Sequence, residues 1–130
     1  MKEEKNFYQV VEEIFIRDSR YKPDSYEFVM QALHFTQNKL KRKGHASGRE
    51  LLEGIREFVI EQYGPLAKTV LNHWGITKTQ DFGNIVFNLI DKKILYQTET
   101  DSLDDFKDVY DFEVIFANVF RDSIIKDIEY

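Results

Sequence analysis

Cysteine is absent from this 130-residue chain, which excludes disulfide bonds, thiolate metal sites and a cysteine nucleophile. The longest apolar runs are only a few residues long, too short to cross a membrane. The chain starts with a charged stretch that no apolar segment of the signal-peptide type follows. These absences predict a cytoplasmic protein that does not contact the membrane.

Apolar and aromatic residues, by contrast, are plentiful. Hydrophobic residues make up 42% of the chain and aromatic residues 15%, with 11 Phe and 7 Tyr. This is too much apolar material for a disordered chain. We therefore expect one folded domain over residues 1–130. Its 23 acidic and 18 basic residues give a net charge of −5, which disfavours binding to nucleic acid through the phosphates.

Helix signals follow one another through the middle of the sequence. Ser47 and Glu50 have the spacing of a capping box, in which each residue hydrogen-bonds the other's backbone N–H. Apolar residues then recur at helical spacing in three sets between residues 51 and 90, separated by Gly64 and Gly75. Two earlier amphipathic segments, residues 6–17 and about 24–41, predict two more helices ahead of these three.

The stretch after these helices is typical of strands. Ile94 to Thr100 is rich in β-branched and aromatic residues, Asp101 to Asp105 is an acidic turn, and Phe106 to Tyr110 is a weaker return strand. This order predicts a mainly α protein with a small β hairpin, a winged-helix-like α+β fold. The expected parts are an N-terminal helix and loop (1–22), a helical core (23–95), a β wing (96–111), and a C-terminal helix and tail (112–130).

Several runs of the sequence look familiar when they are taken together. They are GHASGRELL (44–52), YGPLAKTVL (63–71), HWGI (73–76), DFG followed by IVFNL (81–89), and VYDF (109–112). In this combination the chain resembles a family of short bacterial proteins of about this length, over residues 21–116. The resemblance implies no activity and no catalytic or binding residue, because the family carries none that could be transferred.

A basic cluster ends the second predicted helix, and a glycine-flanked turn comes after it. The simplest role of the cluster is to complement the negative end of the helix dipole, and the alternative is contact with a phosphate or an acidic protein. The turn lacks the spacing of a phosphate-binding P-loop, although it leads into a helix N-terminus, which presents N–H groups to anions. The candidate partner or anion contacts are Lys39, Lys41, Arg42, Lys43, His45 and Arg49.

Reaction chemistry has little support in the sequence. The three histidines lie on different predicted elements without metal-ligand spacing, and the acidic cluster at residues 99–113 lacks the order of a calcium loop. We therefore expect no cofactor, no metal and no catalytic residue. A hydrolase or metal enzyme would need a concave pocket that holds His45 or His73 beside two carboxylates.

The preferred function is a non-enzymatic protein–protein interaction module of winged-helix-like type. Abundant aromatic residues and unevenly distributed charge favour a protein partner or a homodimer. The alternative is a nucleic-acid-binding regulator of winged-helix type, in which the helix at residues 80–91 would enter the major groove. The candidate base-reading residues on that helix are Gln80, Asn84, Asn88 and Lys92.

Overall fold

A computed structural model describes residues 5–41, 44–97 and 101–116. The secondary structure in these ranges is helical, and residues 112–116 also form a helical turn. None of the described helices is long and apolar enough to cross a lipid bilayer. The helices are α1 (Phe7–Arg17), α2 (Pro23–Lys39), α3 (Gly48–Tyr63), α4 (Ala67–His73) and α5 (Thr79–Asp91), with short 3₁₀ helices at Gly64–Leu66 and Leu103–Phe106.

Reciprocal side-chain caps mark where α1 and α3 begin. The Ser47 hydroxyl accepts a hydrogen bond from the Glu50 N–H at 3.1 Å, and the Glu50 carboxylate accepts one from the Ser47 N–H at 2.9 Å. This confirms the predicted capping box at the start of α3. A second reciprocal box, between Asn6 and Gln9, starts α1.

The core lies where α2 and α3 pack together, and α1 and α5 also pack against α2. This central place of α2 agrees with its wide apolar circumference, since a helix with apolar residues on most sides is buried on most sides. At one end of this core Phe28 lies 5.2 Å from the ring centre of Trp74. The fully buried side chains include Ile14, Tyr26, Val29, Leu52, Ile55, Phe82, Ile85 and Leu89.

The predicted β hairpin is wrong: the described residues contain no strand. Its first half fails because α5 ends in a tight reversal. Lys93 takes a left-handed conformation (φ 61°), and the N–H groups of Ile94 and Leu95 both donate to the Leu89 carbonyl at 2.9 and 3.3 Å. These bonds fold the segment back onto α5. Residues 98–100, the rest of the predicted strand, lie outside the described residues.

The second half of the predicted hairpin is a 3₁₀ helix, Leu103–Phe106, which begins with another capping box. The Ser102 hydroxyl accepts from the Asp104 N–H at 3.2 Å, and the Asp105 carboxylate accepts from the Ser102 N–H at 3.1 Å. These bonds favour a helical turn over a β turn. Without a hairpin the chain has no wing in its described part, so the winged-helix-like class is wrong as well.

Phe106 fixes this 3₁₀ helix between α3 and α5. A Cβ atom at Gly83 would lie 2.8 Å from the Phe106 Cβ, and one at Gly48 would lie 3.1 Å from its ring. Gly83 therefore leaves the space that Phe106 needs beside α5, whereas a Cβ at position 48 would crowd the ring without excluding it. The Thr79 hydroxyl donates to the Phe106 carbonyl at 2.6 Å and holds the backbone in place.

The predicted β wing at residues 96–111 has no counterpart among the described residues. One hydrophobic cluster runs through the described helices and includes Phe106, Phe112 and Phe116. The single domain over residues 1–130 stays a prediction. The rest of the predicted C-terminal helix and tail, residues 117–130, lies outside the described residues.

Candidate functional site

A cavity of about 340 Å³ opens between α2, α5, the turn before α3 and the segment after α5. We call it the α2–α5 cavity. Its volume is at the lower end of the range typical of ligand pockets, which are mostly apolar with a few placed polar groups. The described wall has this pattern. Its main apolar residues are Leu33, Leu51, Val86, Phe87, Ile90 and Ile94.

The mouth of the cavity is held by a contact between its two sides. His45 Nε2 lies 3.1 Å from Asp101 Oδ1, and the Asp101 side chain is only 16% exposed. The Gln97 amide donates to the Asp101 carbonyl at 2.9 Å, and the Gln37 amide donates to the Gly44 carbonyl. The His45–Asp101 contact connects the turn before α3 to the segment after α5, and the Gln37 bond connects the same turn to α2. The Gln97 bond lies within the segment after α5.

A second carboxylate, that of Asp105, also lines the cavity. The capping bond from the Ser102 N–H fixes its position. The titratable acids and bases on the described wall are Asp101, Asp105 and His45 together with the phenol of Tyr96, and neither Lys nor Arg is among the described lining residues. The described wall thus combines an apolar interior with two carboxylates and an imidazole.

An exposed aromatic side chain stands at the edge of the cavity. Tyr96 lines the cavity and is 81% exposed, which is unusual for so large a ring in the described part of the chain. Exposed aromatic residues beside an apolar pocket are common anchors of protein interfaces, because a ring buries a large area with few rotatable bonds.

The predicted partner or anion contacts are dispersed, and His45 is the member of the group that lines the cavity. Lys39 pairs with Glu57 of α3, and Lys41 is exposed after the end of α2. Arg49 is exposed on the first turn of α3. The remaining two, Arg42 and Lys43, lie outside the described residues.

Two of the predicted base-reading residues take part in contacts inside the protein. The Asn84 amide donates to the Tyr21 hydroxyl at 2.8 Å. The Asn88 amide donates to Asp18 at 2.9 Å and to the Tyr26 hydroxyl at 3.0 Å. This side of α5 faces α2 and the α1–α2 connection.

The other two members of that set also have partners within the chain. The Gln80 amide donates to Asp108 at 3.0 Å, and the Lys92 ammonium lies 3.8 Å from a Glu13 carboxylate oxygen. Gln80 thereby helps to hold the segment after the 3₁₀ helix, and Lys92 faces α1. The four residues are therefore not presented together on a free face of α5.

The contacts on this side of α5 are strongly electrostatic. The Tyr21 hydroxyl donates to Asp81 at 2.6 Å, and burial together with this bond raises the pKa of Tyr21. Hydrogen bonds from Arg20 hold the pKa of Asp18 well below its usual value, against the opposing effect of burial. These groups stabilise the fold in their present ionisation states.

Three residues of the cavity, Asp101, Asp105 and Tyr96, were not predicted as site residues, because their segment was expected to form a solvated wing. One pattern in the sequence does indicate the structure of part of this segment. Ser102 and Asp105 have capping-box spacing, which indicates a helical turn and not a hairpin. No comparable pattern in the sequence indicates that the turn packs against α5.

A second, more open groove lies on the opposite side of α2, between α1 and α3. Its wall includes Phe7, Tyr8, Met30 and Phe58, and Tyr8 is 62% exposed. His34 and Glu27 lie at its edge, and the Tyr8 hydroxyl donates to Glu27 at 3.2 Å. Across the described ranges, no three His, Asp or Glu side chains come close enough together to hold a metal ion.

Comparison of the chain with models of protein families, with curated proteins and with solved structures gave no match. The resemblance to short bacterial proteins therefore stays a prediction. The functional evidence for this chain is the geometry of its α2–α5 cavity.

Proposed function

We propose that this protein is a non-enzymatic recognition module, which binds an apolar group of a partner protein in the α2–α5 cavity. The observation that carries the proposal is an apolar cavity of about 340 Å³ with the exposed ring of Tyr96 at its edge. A bound apolar side chain is sheltered from water by the cavity, while the ring of Tyr96 covers the backbone beside it.

The contacts at the mouth support a preformed binding site. His45 with Asp101, and Gln37 with Gly44, hold the turn before α3 against its neighbours. Phe106 fixes the opposite wall between α3 and α5. A site that is already ordered loses little conformational entropy when it binds its partner. The partner is either a different protein or a second copy of this chain.

Site-specific photo-crosslinking tests where the partner binds. A photoreactive phenylalanine analogue replaces Tyr96 in one variant and Tyr8 in a matched control, since both tyrosines are exposed beside an apolar depression. We expect crosslinks to the partner from position 96 and not from position 8. Crosslinks from position 8 alone would assign the interface to the groove between α1 and α3.

Filling the cavity tests the mechanism of binding. Val86→Phe places a phenyl group in the cavity, whereas Val114→Phe makes the same change at an exposed position that is 64% accessible. We expect capture of the partner to be lost in the first variant and retained in the second. Ala46→Leu, at a turn residue that lines the cavity, repeats the test without changing a helix. Equal capture by all variants would refute the proposal.

One observation favours a second candidate function, a hydrolase. The cavity holds His45 3.1 Å from the Asp101 carboxylate, with Asp105 elsewhere on its wall, and a histidine paired with a carboxylate is the arrangement that a general base and its orienting partner require. In that case Asp101 would orient the imidazole through Nε2, and Nδ1 would accept the proton from a water molecule that attacks the substrate.

A panel of p-nitrophenyl esters with acyl chains of increasing length separates the two candidates. Turnover that is above background and is lost in His45→Gln would establish the hydrolase and refute the non-enzymatic role. The recognition module instead predicts background rates for the unmodified protein and for this variant alike. The assay uses the purified unmodified protein and the purified variant. Asp104→Asn is the control, because it removes a nearby carboxylate and leaves the described wall of the cavity unchanged.

A further inference from the structure

We infer that the α2–α5 cavity takes two apolar side chains of one partner helix, which lie one helical turn apart along that helix. This inference rests on the proposed function, and it adds the number of inserted side chains and the conformation of the partner segment. The size of the cavity determines the first of these, and the helical surroundings of the cavity determine the second.

The cavity is larger than a single side chain. An apolar core cavity of about 150 Å³ holds one molecule of benzene. The α2–α5 cavity, at about 340 Å³, has roughly twice that volume. A leucine or a phenylalanine side chain is about as large as benzene, so one of them fills roughly half of the space and two of them fill it. Even the side chain of tryptophan would leave part of the cavity empty.

The wall of the cavity cannot easily close around a single side chain. Leu51 and Val86 are buried in the core, and the ring of Phe106 is held between α3 and α5. Wall atoms that face empty space lack van der Waals partners and lose that attraction. A second apolar side chain therefore gains contacts that the first one alone leaves unmade.

The surroundings of the cavity favour a helix as the partner segment. The described residues contain no strand, so they offer no sheet edge to which an extended segment could add. An α-helix satisfies its own backbone hydrogen bonds, and the Cβ atoms of residues three or four apart lie about 5–6 Å from one another on one face. Such a pair can enter one cavity together, while Tyr96 at its edge covers the helix beside it.

A series of straight-chain alcohols measures the capacity of the cavity without a partner. Amide chemical shifts of the ¹⁵N-labelled protein at Val86 and Ile90 report binding. We expect the affinity to rise about fourfold with each added methylene from butan-1-ol onward, and to stop rising only beyond about ten carbons. A rise that stops at about six carbons, the size of one side chain, would overturn the inference.

Four blocked, alanine-rich peptides of about 20 residues test the pair, since shorter isolated helices are marginal in water. At positions i and i+4 the first carries Leu and Phe, the second Leu and Ala, and the third Ala and Phe. The fourth carries Leu and Phe at i and i+2, which lie on different faces of a helix. We expect the first peptide to bind at least about tenfold more tightly than each of the others.

A variant that fills half of the cavity tests the same point from the side of the protein. Ala46→Leu, at a lining residue, takes up about the space of one bound side chain. We expect the first peptide to bind this variant no more tightly than the single-side-chain peptides bind the unmodified protein. Val114→Leu also introduces a leucine, at an exposed position outside the described wall, and should leave all the affinities unchanged.

The outcomes separate this inference from the proposed function. Equal binding of the first three peptides would overturn the pair and leave the recognition module in place. Equal binding of the first and fourth peptides would overturn the helix and also leave the module in place. If the alcohols shift Val86 and Ile90 and no peptide does, the cavity takes small molecules, and both proposals fall. If nothing shifts these residues, the cavity is not a binding site, and both fall as well.

Discussion

The two sides of α5 differ in a way that runs against the usual relation between polarity and exposure. On one side Asp81, Asn84 and Asn88, spaced three and four residues apart, bond to groups within the protein. On the opposite side Val86 and Ile90 line the α2–α5 cavity. The polar residues of α5 are therefore used inside the protein, while Val86 and Ile90 form both an edge of the core and a wall of the cavity. We call these the polar side and the cavity side of α5.

The largest expected difference is between two isoleucines of α5. Ile85 is fully buried, whereas Ile90 lines the cavity. Ile85→Ala leaves a closed void, so we expect it to lower the free energy of unfolding by about 3 kcal/mol. Ile90→Ala widens a space that is already open and should cost about 1 kcal/mol. Urea denaturation with a common m-value measures both. Equal losses would show that the cavity side is packed as tightly as the core.

A smaller effect is expected at Gly83, which lies on the cavity side of α5. Alanine should lower the free energy of unfolding by about 2 kcal/mol, because its methyl group overlaps the Phe106 Cβ, despite a gain of about 1 kcal/mol in helix propensity. In the background of Phe106→Ala the overlap is relieved, and the same change should become neutral or stabilising. A double-mutant cycle measures the difference. Additive effects would contradict the contact between position 83 and Phe106.

The smallest expected effect is on the pH dependence of stability, and it arises from Tyr21, which bonds to the polar side of α5. The raised pKa of Tyr21 means that the folded state keeps the proton longer than the unfolded state. Its contribution is therefore complete below about pH 10, the unfolded value, and is lost as the pH rises above that value. Tyr21→Phe should cost about 1 kcal/mol at neutral pH and flatten the alkaline limb of a stability–pH profile.

The acid limb provides the complementary measurement. The pKa of Asp18 is lowered, so its contribution is present above about pH 4 and is lost as the pH falls further. Asp18→Asn should flatten the acid limb and leave the alkaline limb as it is, whereas Tyr21→Phe should do the reverse. If each variant changed both limbs, the two groups would be acting as one coupled unit.

Local signals in the sequence predicted the helices but not the packing between them. The Ser47 capping box and the glycines at 64 and 75 are short-range features, and the described helices begin and end close to where these features place them. The prediction of a β wing is wrong because it was based on the composition of residues 94–97, which suits a strand. Their conformation is determined instead by hydrogen bonds to the Leu89 carbonyl, which depend on how α5 ends.

The candidate site was harder to predict for a similar reason. His45 was singled out as an anion contact, but its neighbour Asp101 is 56 residues away in the sequence. In the nucleic-acid-binding alternative, Asn84 and Asn88 are candidate base-reading residues because amide side chains can hydrogen-bond to base edges. Their actual partners come from the α1–α2 connection and α2, and no periodicity in α5 reveals those partners. Contacts between residues so far apart in the sequence cannot be predicted from a local pattern.

Under the proposed function, the ring of Phe106 limits how binding in the α2–α5 cavity can change. The same ring separates two helices and forms part of the cavity wall, so any substitution there alters stability and ligand fit together. Tyr96, which is exposed, and Ala46, which is half-buried, also line the cavity, and neither separates two helices. Substitutions that change specificity should therefore be tolerated more readily at these two positions than at Phe106, where they also lower stability.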